Sequence, residues 1–285
     1  MFIEPMLLET APSPFSHSDY IFEPKIDGHR MIFSQESGVI RLYTRHHNDC
    51  TRQYPELLIP FDDDIVLDGE VACVDPATGI SDIDAVGARF KAGKHDKIAR
   101  LRKLLPATFV IFDILQYKGQ DLRRLPLMER KAVLISLSLP STAFGVVPYI
   151  EGAGEDLFNQ IKAWGMEGMV GKRKNSRYVS HRSIAWQKVI NWSYCEVFIT
   201  GYRKEKFGWL TAVLDGTGKL RPTGIIEHGP GPKAKKAFYG VSKGIISGES
   251  KDFVYLDPLI RAEVKMRNWT KAGLLRDPVF TRFIV

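Results

Sequence analysis

The chain has 285 residues, 44% hydrophobic and 26% charged, with 40 basic and 33 acidic side chains. That length suits one large or two ordinary domains, and the apolar content excludes a disordered chain. No apolar run approaches the ~20 residues of a membrane span, the start MFIEPMLLETAPSP has no basic n-region, and Cys50, Cys73 and Cys195 are too scattered for a disulfide framework or a zinc ribbon, so a reducing cytoplasm is the expected location.

Segments 20–25 (YIFEPK), 29–34 (HRMIFS) and 38–45 (GVIRLYTR) read as short strands separated by turns. Segments 65–75 (IVLDGEVACVD) and 108–115 (TFVIFDIL) are denser in β-branched and aromatic residues and read as stronger strands. Segment 127–137 (LMERKAVLISL) reads as a helix. So does 155–164 (EDLFNQIKAW), with Leu157, Phe158, Ile161 and Trp164 on one face. Strand character returns at 169–174 and 184–190. Regular βαβ alternation is lacking, so the expected class is α+β: antiparallel sheets flanked by helices.

After Asn191 the pattern changes to five short strands, CEVFITGYR, GWLTAVLD, GIIEHG, FVYLD and RAEVKMRNW, with a helix at PKAKKAFYGVSKGI. That count predicts a small barrel of the OB type. The expected domains are therefore 1–191 and 192–285. Charge divides at the same place: 24 basic and 24 acidic residues precede it, 16 basic and 9 acidic follow. A basic unit behind a neutral one suits an anionic partner, and a solvated lysine-rich surface explains the excess equally well.

Four clusters could carry chemistry. In Glu23-Pro-Lys25-Ile-Asp27-Gly28-His-Arg30, a strand would turn Lys25 and Asp27 to one side, and Gly28 would permit a sharp turn. A nucleophilic lysine needs cationic neighbours or desolvation, and Arg30, Lys172 and Lys188 are candidates. A polar hairpin turn is the plainer explanation of that cluster alone. In Leu67-Asp68-Gly69-Glu70 the alternation pairs two carboxylates, suited to a hard metal ion or a ribose hydroxyl. Glu167 to Lys172 sets a carboxylate and a lysine at the ends of an apolar strand. It is not a P-loop, because the spacing from Gly165 is one residue long and Arg173 stands where Ser or Thr must be. Between Gly171 and Asn191 lie six basic residues and no acidic one, a setting for a triphosphate or an ordinary basic surface.

Taken in order and spacing, KIDGHR, LDGE, VIFDIL, EGMVGK and AWQKV resemble nucleotidyltransferase motifs I, III, IIIa, IV and V of ATP-dependent DNA ligases. TRHHNDCTRQYPEL resembles the family's segment after motif I, with Arg45 at its arginine, and EGMVGKRKNSRYVSHRSIAWQKV follows the motif IV to V stretch nearly residue for residue. The similarity covers almost the whole chain and is strongest toward compact bacterial and bacteriophage ligases and the ligase module of bacterial end-joining ligases.

The resemblance implies sealing of 5′-phosphate/3′-hydroxyl nicks in duplex DNA, in repair or replication, through lysyl-AMP and DNA-adenylate. Lys25 would be the nucleophile, with Asp27 near the 3′-hydroxyl. Glu70 and Glu167 would bind Mg²⁺ (or Mn²⁺) or the ribose. Lys172 and Lys188 would neutralise the α-phosphate, Arg30 would touch the ribose or leaving group, and Arg45 the 5′-phosphate. Phe112 would stack on adenine and Glu23 would accept from its amino group. ATP is the implied donor. Nicked double-stranded DNA is the implied partner, with no membrane, and a monomer is expected. The OB unit would grip DNA through Arg203, Lys204, Lys206, Lys233, Lys235, Lys236, Lys265 and Arg267. Ile190 replaces a second lysine often found in motif V. LLRDPVFTRF leads toward motif VI, but the chain ends at Val285 before R-x-D-K is complete. That departure implies self-adenylation slower than sealing, substitution by Arg276 or Arg282, or a truncated chain. Two alternatives stay open: an RNA ligase or capping-type nucleotidyltransferase, and a catalytically weakened nucleic-acid-binding relative.

Overall fold

The computed structural model describes residues 1–75 and 79–284, so Val285, at the end of the partial motif VI, lies outside the described residues. It divides into two units, Met1–Asn191 and Trp192–Val285. The first runs β1 (Leu7–Thr10), β2 (His17–Pro24), β3 (His29–Glu36), β4 (Val39–Thr44), β5 (Ile65–Ala72), α1 (Ile83–Phe90), α2 (His95–Leu104), β6 (Thr108–Tyr117), β7 (Gln120–Asp121), α3 (Leu127–Ile135), β8 (Phe144–Val146), β9 (Ile150–Gly152), α4 (Gly154–Ala163), β10 (Gly168–Arg173) and β11 (Arg182–Ile190). These strands form a five-stranded sheet, β1-β11-β10-β2-β9, and a six-stranded sheet, β4-β3-β5-β6-β7 with β8 beside β6. The pairing is antiparallel except at β1–β11 and β6–β8, which are parallel.

β2 belongs to one sheet and β3 to the other, so residues 25–28 carry the chain between them. The strand expected over 20–25 ends at Pro24, and the alternation argument for Lys25 and Asp27 therefore fails. Lys25 is held instead by its backbone, whose N–H donates to Gly168 O at 2.8 Å. Gly28 is needed for close approach rather than for a turn: a Cβ there would lie 2.3 Å from Val71 O. Gly168 combines a φ of +154° with a Cβ position 2.1 Å from Val189 O, so no L side chain fits it.

Helix α3 forms where expected, but its consecutive cations Arg130 and Lys131 are 0% and 1% exposed. Neighbouring helical residues point about 100° apart, so α3 meets both sheets. Arg130 Nε and Nη2 each donate to Asp113 of β6 at 2.8 Å, and its Nη1 donates to Leu125 O and Ser176 O. The Lys131 ammonium contacts Glu23 of β2. Helix α4 buries Leu157, Phe158 and Ile161 as expected. Trp164 is its C-cap, followed by left-handed Gly165, and is 55% exposed rather than on the buried face.

Helices α1 and α2 have no counterpart in the sequence reading. Asp82 caps α1 by accepting from Asp84 N and Ala85 N. Buried Arg89 anchors it through donation to both Glu56 oxygens, at 2.6 and 2.9 Å.

The second unit contains β12 (Ser193–Arg203), β13 (Trp209–Leu214), β14 (Leu220–Ile226), α5 (Pro232–Ser242), β15 (Ile246–Glu249), β16 (Phe253–Met266) and β17 (Val279–Ile284). They make a six-stranded sheet, β14-β13-β12-β16-β15 with β17 on β16, around a core that includes Val197, Ile199, Trp209, Phe238 and Val264. FVYLD and RAEVKMRNW, expected as two strands, are parts of the single strand β16. Pro258, which has no N–H for a ladder, falls between the pairs Gly201↔Tyr255 and Ile199↔Ile260, where the register shifts. Strand β14 starts at Leu220, ahead of the expected 224–229. Cys50, Cys73 and Cys195 are free. Among the described residues no helix is long and apolar enough to cross a membrane.

Removing one partner of a buried ion pair strands the other charge. Asp113→Ala should therefore destabilise the first unit by about 3–5 kcal/mol, read as a lower urea midpoint with an unchanged slope.

Candidate active site

A cavity of about 440 Å³ in the first unit is lined from both sheets and from the passage between them. Of the expected site residues, Glu23, Lys25, Arg30, Arg45, Glu70, Phe112, Lys172 and Lys188 line it. Asp27 and Glu167 are not among the lining residues. Glu167 reaches the site through Lys25, whose Nζ donates to Glu167 Oε2 at 2.6 Å. The backbone carbonyl of Asp27 accepts from Ser81 Oγ.

Arg30, on β3, donates from Nε and Nη2 to Asp68 at 2.9 and 2.6 Å. Tyr178 accepts from Met6 N–H at 3.0 Å and donates to the same carboxylate at 2.7 Å. Asp68 is fully buried in these contacts, and its oxygens are taken by Arg30 and Tyr178. Asp68 and Glu70 share a face of β5 as the alternation implies, since they pair in unbroken register with Ile32 and Arg30 of β3. Asp68 orients Arg30, whose guanidinium lies 5.2 Å from the Phe112 ring centre.

Glu70 remains in the cavity wall. Burial pushes its carboxyl up to about 8, with Lys25 and Arg30 opposing and Glu167 adding to the rise. Among the described residues no group of three or more His, Cys, Asp or Glu is arranged for a metal. Glu70 and Glu167 are nevertheless hard oxygen donors of the kind that bind Mg²⁺ together with phosphate oxygens.

Lys172 lines the cavity from β10. Its side chain is 2% exposed, and its Nζ lies 2.7 Å from Glu23 Oε2. That Nζ is 4.5 and 4.2 Å from the ring centres of Phe112 and Trp186. Burial lowers Lys172 to about 8, Glu23 opposes the shift, and Lys131 adds to it. Its ammonium is thus engaged by a carboxylate, two aromatic faces and, at 3.4 Å, the Phe112 carbonyl. Lys188 lines the cavity from β11, two residues from Trp186. Ile190 is 7% exposed and pairs with Gly168, which explains an apolar residue at that position.

Sequence reasoning missed Leu7, Leu8, His29 and Phe90 in the lining. His29 and Phe90 meet edge to face at 4.8 Å, and burial lowers the His29 pKa. It counted Arg182 only within the basic run and had no signal for Lys131, which sits in an ordinary polar helix pattern.

In the second unit the expected DNA contacts are differently engaged. Arg203 pairs with Glu227, and Lys204 with Glu249 at 2.7 Å. Lys206 and Arg203 border a hollow of about 270 Å³ with Glu205, Asp252 and Phe253. Lys233 and Lys236 are exposed on α5, while Lys235 lies over the Phe207 ring at 4.0 Å. Lys265 and Arg267 lie over the Trp192 ring at 4.9 and 5.4 Å. The Arg203–Glu227 and Lys204–Glu249 pairs lie at the surface, where an ion pair is worth little. Arg282, raised as a substitute for motif VI, pairs with Glu263 across the β16–β17 ladder at 3.1 Å.

Because Glu70 holds its proton up to about 8 in the fold against an ordinary carboxyl value near 4.3 when unfolded, it favours folding at low pH and loses that advantage as pH rises between the two values. Glu70→Gln, a permanent mimic of the protonated form, should melt near the parent at pH 4 and above it at pH 8, the gap widening steadily with pH between the two.

A family model described as ATP dependent DNA ligase domain matches residues 5–189. The chain is 38% identical over 284 residues to the SPbeta prophage-derived DNA ligase-like protein LigB of Bacillus subtilis, covering 98% of each chain. It is 28% identical to the multifunctional non-homologous end joining DNA repair protein LigD of Mycobacterium tuberculosis, covering 91% of this chain and 35% of that one. A solved structure of mycobacterial DNA ligase D complexed with ATP and MES aligns with a TM-score of 0.60 at 26% identity, over 98% of this chain and 94% of that one. With its fold, its cavity and its motifs in order, the chain belongs to the ATP-dependent DNA ligase family.

Proposed function

We propose that the chain is an ATP-dependent DNA ligase that joins 5′-phosphate and 3′-hydroxyl ends at nicks in duplex DNA, with Lys25 carrying AMP between the two substrates. The observation that carries this reading is the Lys25 side chain in the cavity wall, 2.6 Å from Glu167, with Phe112 and Lys188 lining the same space.

An ammonium cannot attack phosphorus until it loses a proton, and Glu167 Oε2 is hydrogen-bonded to Lys25 Nζ and suited to take it. The N–P bond to the α-phosphate then forms as the P–O bond to pyrophosphate breaks. In the second step a 5′-phosphate oxygen attacks that phosphorus, and the N–P bond breaks to restore Lys25. In the third step the 3′-hydroxyl attacks the 5′-phosphate, with Asp27 near that hydroxyl, and AMP leaves. Phosphoryl transfer of this kind depends on alignment and charge neutralisation. Lys188 and the exposed rim residue Arg45 provide the cations, and Phe112 provides a flat face for adenine. When bound, Mg²⁺ or Mn²⁺ would be held by Glu70 and Glu167 and would supply further neutralisation of phosphate charge.

The unit from Trp192 onward carries 16 basic and 9 acidic residues. Its candidates, from Arg203 to Arg267, suit sequence-independent contact with DNA phosphates. A cytoplasmic monomer acting alone on nicked DNA fits this reading.

Incubation with α-labelled ATP and Mg²⁺ tests it. The parent chain should retain label and seal a nicked duplex. Lys25→Ala should lose label and ATP-driven sealing below detection, while still joining a pre-adenylated nick. Label retained by Lys25→Ala, or a preference for nicked RNA or for GTP, would overturn the assignment.

A further inference from the structure

Glu23 is 2% exposed, lines the cavity, and is shared by two buried lysines. Lys172 Nζ approaches Oε2 at 2.7 Å, and Lys131 Nζ contacts Oε1 from α3. The two contacts are not alike. Lys131 and Glu23 Oε1 touch, but neither atom has a partner in hydrogen-bond geometry. Lys131 is 1% exposed, and its ammonium lies 5.6 Å from the Tyr149 ring centre. Two buried cations on one carboxylate leave a surplus positive charge, which is costly to desolvate and replaceable in principle by apolar packing. The proposed chemistry at Lys25 makes no use of Lys131.

The wall that results has a definite polarity. Glu23 is an acceptor and keeps unused lone pairs, since a carboxylate offers about four. Lys172, boxed by Phe112 and Trp186, is a donor. A 6-aminopurine presents the complementary edge, an amino donor beside a ring-nitrogen acceptor. A 6-oxopurine presents the reverse, an oxygen acceptor beside an N–H donor, so both of its groups would be mispaired. Buried mispairing of this kind discriminates strongly. The discrimination requires the carboxylate to stay put, and Lys172 holds only one of its oxygens.

We propose that Lys131 is a positioning residue: by fixing Glu23 beside Lys172 it makes the cavity wall select a 6-aminopurine nucleotide over a 6-oxopurine one. This rests on the ligase reading above and deepens it.

The test compares ATP with inosine triphosphate, which differ only at C6 and N1, as donors of the lysyl-nucleotide adduct on the full chain. The parent should favour ATP. Lys131→Met, with a melting temperature near the parent's, should lower the ATP-to-inosine ratio of kcat/KM at least about tenfold, chiefly by raising KM for ATP. Lys131→Arg should restore the ratio to within about threefold. A parent chain that takes no label from either nucleotide overturns the ligase reading and this inference with it. Label with an unchanged ratio in folded Lys131→Met overturns this inference alone. If Lys131→Met does not fold, Lys131→Gln takes its place in the same assay, and failure of both to fold overturns the positioning role.

Discussion

Residues 25–28 carry the chain from the five-stranded sheet to the six-stranded one, and Lys25 makes that passage with its N–H bonded to Gly168 O at 2.8 Å. This bond ties the nucleophile candidate to the start of β10, the strand that also carries Lys172 and directly follows Glu167. Gly28 then slides under Val71 with no room for a Cβ, which brings Arg30 and Glu70 together as paired residues of β3 and β5. A single crossing thus collects groups far apart in the chain around one cavity. The glycines of the motifs are explained by the close packing of backbone that the crossing demands.

Charge holds the two sheets in that relation. Arg130 and Lys131, consecutive on α3, reach Asp113 on one sheet and Glu23 on the other. Two further pairs are local: Arg30 with Asp68 lies within the six-stranded sheet, and Arg89 with Glu56 ties α1 to the segment before β5. Buried ion pairs of this sort add little net stability over apolar packing, but each demands a particular geometry from its partners. The first unit is formally neutral, with 24 basic and 24 acidic residues.

The fold class was legible because its evidence is local. Segments 29–34, 108–115 and 155–164 carry clear periodicities and form the expected elements. Helix α1 was missed because Gly87 interrupts a short apolar pattern, and α2 because Lys97, Arg100, Arg102 and Lys103 dilute it to Ile98 and Leu101. FVYLD and RAEVKMRNW, expected as two strands, are joined because a register shift absorbs Pro258 within one long strand. Within the site, residue types in motif order identified eight residues of the cavity wall. They did not reveal which carboxylate serves which cation. Asp68 looks like a metal ligand in the sequence and is an Arg30 partner in the fold. Lys131 looks like helix surface and is buried against Glu23. Such pairings depend on which strands lie next to each other, information that no window of the sequence holds.

The central claim is that the crossing presents Lys25, rather than Lys172 or Lys188, as the group that bonds to the α-phosphorus of ATP. Peptide mapping by mass spectrometry, after incubation of the chain with ATP and Mg²⁺, tests it most directly. The account predicts one adenylyl group, attached to Lys25. An adduct on Lys172 or Lys188 with Lys25 unmodified would contradict it.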